Sequence, residues 1–330
     1  MTKMDDNSNN GSLLTVEGLK TFFHTEEGIV RAVNDVSFRL RKGETLGLVG
    51  ESGCGKSVTS LSIMGLVPMP PGRIEGGSID FKGKKLLSMS NSQMRKIRGN
   101  EISMIFQEPM TALNPVTTVG HQISEVLEQH TKLDKAERRD KALEMIRKVG
   151  IPEPEKRISS YPFEMSGGMR QRIMIAIALA CDPALLIADE PTTALDVTIQ
   201  AQILRLIKKM QNEYNSAVIL ITHNLAVVAE TVDTVAVMYA GVIVEKADVN
   251  ELFARPMHPY TQGLMKSIPV LGQADRKLES IKGRVPNLID LPEGCYFANR
   301  CLKAMPKCTR EQPAIREIED NHFVRCFLYD

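Results

Sequence analysis

Apolar positions in this chain follow two periods, and the period changes along its length. Residues 13–20 and 30–40 carry short alternating or β-branched runs, the pattern of half-buried antiparallel strands. Thr45–Val49 is continuously apolar, as in a strand covered on both faces. A glycine-rich turn follows, then a predicted helix over about 56–66. Pro and Gly punctuate 68–77, which reads as a loop, and 78–81 and 102–106 read as further strands. Residues 133–149 are charged and helical, with Leu143, Ile146 and Val149 on one stripe, and Gly150 and Pro152 mark the end. A helix follows Gly168 and reaches Ala180. Strands over 185–188 and 218–222 flank a helix over 197–212. This alternation predicts a parallel, doubly wound α/β sheet with a mostly helical subdomain over about 118–180. From Pro256 the chain turns Pro- and Cys-rich. The predicted divisions are therefore a tail (1–12), a main domain (13–255) and an extension (256–330).

Composition narrows the classes. With 43% apolar and 25% charged residues, the 330-residue chain has the makeup of a soluble globular protein rather than a disordered one. Lys and Arg number 41 against 40 for Asp and Glu, so no basic field favours nucleic acid as a partner. The longest apolar run, 173–181, is far short of the ~20 residues of a membrane span. Any link to a membrane is therefore expected to run through a partner. Residues 1–12 are polar, lack the apolar core of a secretory signal, and read as a disordered tail.

The candidate chemistry begins at Gly50-Glu51-Ser52-Gly53-Cys54-Gly55-Lys56-Ser57, a full match to G-x-x-x-x-G-K-[ST] between a strand and a helix. Glycines let backbone N–H groups wrap phosphates, Lys56 reaches the β/γ-phosphates, Ser57 ligates Mg²⁺, and the helix N-terminus adds a positive dipole end. Cys54 sits at a variable position, a small filler. An apolar strand ends in Asp189 and Glu190: Asp189 is placed to hold Mg²⁺ through water, Glu190 to polarise the attacking water. Ser166, Gly167 and Gly168 open a second glycine-rich helix N-terminus, a second anion site. If each nucleotide needs both faces, two chains meet head to tail. Gln107 follows a strand, where its amide can sense the γ-phosphate and metal. His223 ends another, where parallel-sheet ligands gather. Asp196 follows Glu190 closely enough to bridge to a partner chain.

These motifs together resemble the ATP-binding cassette (ABC) family. The stretch 50–57 is similar to its Walker A, 185–190 to its Walker B, and 166–171 to its signature, with Met169 where Gln is usual. Gln107 is similar to the Q-loop, Asp196 to the D-loop and His223 to the switch histidine. Phe23 lies where the family stacks an aromatic on adenine, with Phe22 the neighbouring candidate. The resemblance implies a P-loop NTPase fold: a mixed sheet, an antiparallel β subdomain, a helical signature subdomain and a small Cys-rich extension. The chain further resembles the oligopeptide and dipeptide importer ATPases, from Leu13 onward. Carrying residues are Gln107-Glu108-Pro109-Met110-Thr111-Ala112-Leu113-Asn114-Pro115, Asp189-Glu190-Pro191-Thr192-Thr193-Ala194-Leu195-Asp196 and His258-Pro259-Tyr260-Thr261. Met165 replaces the usual Leu, a volume-conserving change. Asn224 stands where the family has Asp, which puts a charged contact there in doubt.

This resemblance implies ATP and Mg²⁺, integral membrane permease subunits, a solute-binding protein, a second ATPase subunit (a heteromer rather than a homodimer), and a peripheral place on the cytoplasmic face of the membrane. Nickel or another small solute is the alternative cargo. A non-transport cassette acting on nucleic acid or ribosomes is a further alternative, which the single cassette and neutral charge oppose. Cys295, Cys301, Cys308 and Cys326 cluster near the end. Reducing conditions disfavour disulfides. Structural zinc prefers tighter spacing, and ferredoxin spacings do not match. The chemistry alone gives a four-thiolate metal site, or four buried reduced cysteines. The resemblance adds a [4Fe–4S] cluster, with zinc as second choice.

Overall fold

The computed structural model describes residues 11–193, 195–267 and 280–330. The first ten residues of the expected tail lie outside that range, while Ser12 already belongs to a strand. The strands in chain order are β1 (Ser12–Thr25), β2 (Gly28–Arg41), β3 (Thr45–Val49), β4 (Gly72–Phe81), β5 (Lys84–Lys85), β6 (Ile102–Ile105), β7 (Leu185–Asp189), β8 (Ala217–Thr222), β9 (Thr234–Tyr239), β10 (Val242–Asp248), β11 (Arg316–Glu319) and β12 (His322–Val324). They fall in two compact units. One comprises residues up to 40, 45–87 and 222–330; the other comprises 41–44 and 88–221.

In the first unit, β2, β1, β4 and β5 form one sheet, with β4 antiparallel to both β1 and β5. The reading of 68–77 as a loop is corrected here, because β4 starts at Gly72. Ile74 pairs with Thr21, Gly76 with Lys20 and Phe81 with Leu14. The glycine pair at 76–77 serves an irregularity in register beside Lys20 instead of a chain reversal. A second group of strands runs β3, β9, β10, β12, β11. β3 and β9 are parallel, and the remaining pairs are antiparallel. The sheet is thus mixed, as the family resemblance implies, and not parallel throughout as the alternation of elements alone predicts. β9 turns into β10 through Ala240 and Gly241, both at positive φ (44° and 84°). That is the twist a two-residue hairpin needs. Between β3 and β4 the helix Lys56–Met64 stops where Gly65 adopts a left-handed conformation and its N–H reaches back to Leu61 and Ser62.

The last residues of the chain are sewn onto β10. Glu245 is fully buried and accepts hydrogen bonds from the Met257 and His258 N–H groups (2.7 and 2.9 Å) and pairs with His322 Nε2 at 2.8 Å. A buried carboxylate is costly without such partners. Here it joins β10, the turn at 257–258 and β12. His258 in turn caps the helix Pro259–Lys266 through its Nδ1, which accepts the Tyr260 N–H. Burial drops its pKa to about 4, so the ring stays neutral.

The second unit carries β6, β7 and β8, all parallel and buried. From Ile173 on, the helix Gly167–Leu179 is apolar on every side, with Ile173, Met174, Ile175, Ala176, Ala178 and Leu179 buried, as an interior segment should be. The helix Lys135–Lys148 starts at a capping box made by Asp134 and Glu137. Its buried stripe is Ala142, Met145, Ile146 and Val149. Leu143, predicted for that stripe, is only half-buried. No helix among the described residues is long and apolar enough to cross a membrane.

Candidate functional site

The first unit folds a glycine-rich backbone cradle between β3 and the helix Lys56–Met64. Gly50 and Gly55 sit at φ 155° and 103°. A Cβ on Gly50 would overlap the Met238 carbonyl oxygen, and one on Gly55 the Ala32 carbonyl oxygen. Only glycine lets the backbone lie this close to its neighbours. Lys56 is 5% exposed and donates from Nζ to the carbonyl oxygens of Gly50 (2.9 Å) and Glu51 (3.1 Å). The ammonium is therefore folded back over the loop it belongs to. Cys54 is wholly buried and burial pushes its thiol up, so it is a protonated filler. Ser57 lies in the first helical turn. Ser52 and Gly53 form the exposed crown of the loop. Phe22 and Phe23 are half-buried near the end of β1, opposite Arg73 and Gly72 of β4.

Two residues that the sequence reading did not single out hold this cradle. Tyr260, fully buried, accepts the Glu51 N–H at its hydroxyl (2.9 Å). Arg300 pairs with the Glu51 carboxylate. Only the run His258-Pro259-Tyr260-Thr261 hinted at the first, and nothing in local spacing could have paired residue 300 with residue 51.

His223 follows β8 and is exposed. Asn224 next to it has a clear local task. Its side chain accepts the Ala226 N–H (3.0 Å) and caps the helix Leu225–Thr231. Asn and Asp are equivalent caps, so Asn224→Asp should leave the unfolding free energy within about 0.5 kcal/mol of unchanged. Asn224→Ala should cost about 1 kcal/mol. Denaturant titration of both variants checks this.

The second unit supplies the carboxylates. Asp189 closes β7 at 5% exposure. Glu190 follows in a left-handed conformation (φ 45°), which a non-glycine residue adopts only when its surroundings hold it there. The holds are visible: its N–H donates to the Ile221 carbonyl oxygen (2.9 Å), and its Oε2 accepts from Gln107 Nε2 (3.3 Å) and Thr193 Oγ1 (2.9 Å). The fold thus brings together Gln107 and Glu190, separately predicted. It adds Thr193, whose signal was its place in the tight turn three residues on. Such a carboxylate, fixed by two donors, is placed to take a proton from water without swinging.

Ser166 caps the helix Gly167–Leu179 by accepting the Met169 N–H, and Gly168 packs against Ile199. Met165 is buried, as a Leu would be. Asp196 caps the helix Val197–Tyr214 by accepting the Ile199 N–H (3.0 Å), leaving Val197 81% exposed beside it.

Cys295, Cys301, Cys308 and Cys326 line one small cavity with Phe297 and His258. Backbone N–H groups of Lys303 and Met305 donate to the Sγ atoms of Cys301 and Cys308 (both 3.4 Å). Burial raises the thiols of Cys295 and Cys301, and pushes Cys326 up to about 11. Among the described residues, however, no group of three or more His, Cys, Asp or Glu is arranged to hold a metal ion. The four thiols line the same cavity.

Comparison with known proteins identifies the whole. Residues 33–193 match the family model described as ABC transporter. Over 97% of each chain, the protein is 54% identical to the oligopeptide transport ATP-binding protein AppD of Bacillus subtilis (strain 168). The chain belongs to the ABC transporter family. It is also 53% identical to the dipeptide transport ATP-binding protein DppD of the same organism, over 96% of this chain and 95% of that one. Residues 244–308 match the oligopeptide/dipeptide transporter C-terminal region. The dimeric, post-hydrolysis ATP-binding cassette MJ0796 bound to ADP and Pi superimposes with a TM-score of 0.65 at 26% identity, over 72% of this chain and 98% of that one. The fold is that of an ABC ATPase, and the chain is an ATPase of that family.

Proposed function

We propose that this ABC ATPase drives import of oligopeptides or dipeptides through membrane permease subunits. The observation that carries the cargo class is the match of residues 244–308 to the oligopeptide/dipeptide C-terminal region, a segment outside the cassette match at 33–193. The backbone of Gly50, Glu51, Ser52, Gly53, Cys54 and Gly55 takes the phosphates of ATP, with Lys56 unfolding from its own loop to reach the β/γ-phosphates. Phe23 lies against the adenine. Ser57, Asp189 through water, and Gln107 would hold Mg²⁺, and the buried carboxylate of Asp189 suits a hard cation. Bound there, Mg²⁺ neutralises charge that builds on the phosphates. Glu190 takes the proton of the attacking water, held in place by Gln107 and Thr193. His223 hydrogen-bonds the γ-phosphate. Ser166, Gly167, Gly168 and Asp196 face the nucleotide of a second ATPase subunit, in a heteromer that works at the cytoplasmic face with permeases and a solute-binding protein.

The test is to copurify the chain with its permease and reconstitute it with the solute-binding protein. Loading that protein with peptide is expected to stimulate ATP hydrolysis several-fold. Stimulation by nickel and not by peptide would move the cargo to the small-solute alternative.

The four cysteines carry a finer part of the reading, a [4Fe–4S] cluster with zinc as second choice. What supports it is that all four line one cavity and that two already accept backbone N–H groups, as cluster thiolates do. Raised thiols also make binding release protons, coupling it to pH and folding. Protein prepared without oxygen is expected to contain iron and sulfide in about equal amounts, and Cys308→Ser to lose both. Stoichiometric zinc selects the second choice, and metal-free protein leaves four buried thiols.

A further inference from the structure

We propose that Arg300, which the Cys-rich extension supplies, is a positioning residue of the phosphate loop: it neutralises Glu51 and so sets how tightly the loop takes a polyphosphate. The inference rests on the ATP reading above and deepens it. Glu51 is the one acid in the loop Gly50-Glu51-Ser52-Gly53-Cys54-Gly55-Lys56-Ser57. A free carboxylate there would oppose the charge of the ligand and offset that of Lys56.

The pairing is bidentate. Arg300 Nη1 donates to Glu51 Oε2 at 2.6 Å, and Nη2 to Oε1 at 3.0 Å. The guanidinium is 5% exposed and the carboxylate 30%. The fork is fixed by groups outside the loop. Its Nε donates to the Lys282 carbonyl oxygen (3.1 Å), Nη2 to that of Ile281 (3.2 Å) and Nη1 to the Tyr239 hydroxyl (3.4 Å). It lies over the rings of Tyr239 and Phe297, at 5.7 and 6.0 Å. Arginine is therefore set before the loop engages anything. The Glu51 backbone is gripped too, its N–H by Tyr260 and its carbonyl by Lys56. Lysine could not replace this planar fork. An exposed ion pair would matter little, but removing a buried partner leaves an uncompensated charge.

The consequence is a difference of sign. Titrating the full-length protein with ATP and Mg²⁺, Arg300→Met is expected to weaken binding roughly tenfold, the scale of one uncompensated charge at an effective protein dielectric. Glu51→Gln removes the repelling charge and is expected to tighten binding a few-fold. The double variant returns to within about twofold of the wild type. A role in packing alone predicts otherwise: both single variants weaken binding and the double is no better. That result overturns the inference, as does unchanged affinity in a folded Arg300→Met protein, checked by its melting without nucleotide. Should Arg300→Met not fold, the sign of Glu51→Gln decides alone: tighter binding supports the inference and weaker or unchanged binding overturns it. A wild-type protein that binds no ATP would instead overturn the ATP reading, and this inference with it.

Discussion

Glu190→Gln is expected to cut ATP turnover by about 10²–10⁴-fold, the usual contribution of a general base, while ATP binding persists. The amide keeps the shape of the carboxyl group. Its oxygen still accepts from Gln107 and Thr193, which hold Glu190 at 3.3 and 2.9 Å. The left-handed backbone is equally available to both residues. What is lost is the basic oxygen. Single-turnover hydrolysis together with equilibrium ATP binding separates the two effects. Turnover near the wild-type rate would remove Glu190 from the base role. Thr193→Val then serves as a gentler companion, because it loosens the carboxylate without deleting it.

Lys56→Ala is expected to weaken ATP binding itself by about 10²–10³-fold. Unit charges 4 Å apart interact by about 4 kcal/mol at an effective dielectric near 20, and part of this is recovered by water entering the vacated space. The same change removes two hydrogen bonds to the Gly50 and Glu51 carbonyl oxygens, at a buried position. Some fold stability is therefore lost as well, and thermal melting without nucleotide reports that part. An unchanged dissociation constant for ATP would mean that the loop does not hold the phosphates.

Where a signal was local, the sequence carried it. The helix after the phosphate loop starts at Lys56 as predicted, and its stop at Gly65 lies one residue from the predicted end. β7 and β8 were legible as short apolar runs. What escaped depended on pairing across the chain. The first part of β4, 72–77, was hidden because its glycines and the prolines before it look like turn residues, and only the partner strand β1 reveals their use, whereas 78–81 was legible as a strand. β9 and β10 were missed because Ala240-Gly241 is not the Asn-Gly that announces a hairpin. In the site, the motif residues were legible one at a time. The contacts of Glu51 with Tyr260 and Arg300 were not, since each is made by tertiary approach, while that of Glu190 with Thr193 is local to one turn.

The sewing of β12 onto β10 has a consequence for how the protein fails. Glu245 pairs with Val324 and Lys246 with Phe323, so β10 receives its outer neighbour from far later in the chain. Until those residues arrive, or if a stop codon removes them, β10 presents unpaired N–H and C=O groups at Glu245 and Lys246, just after its apolar run 242–244. Glu245 would then also lose His322, one of the groups that make its burial tolerable. A chain cut before β11 should therefore accumulate as self-associated, protease-sensitive material, even though every residue of the phosphate loop, Glu190 and the signature is intact.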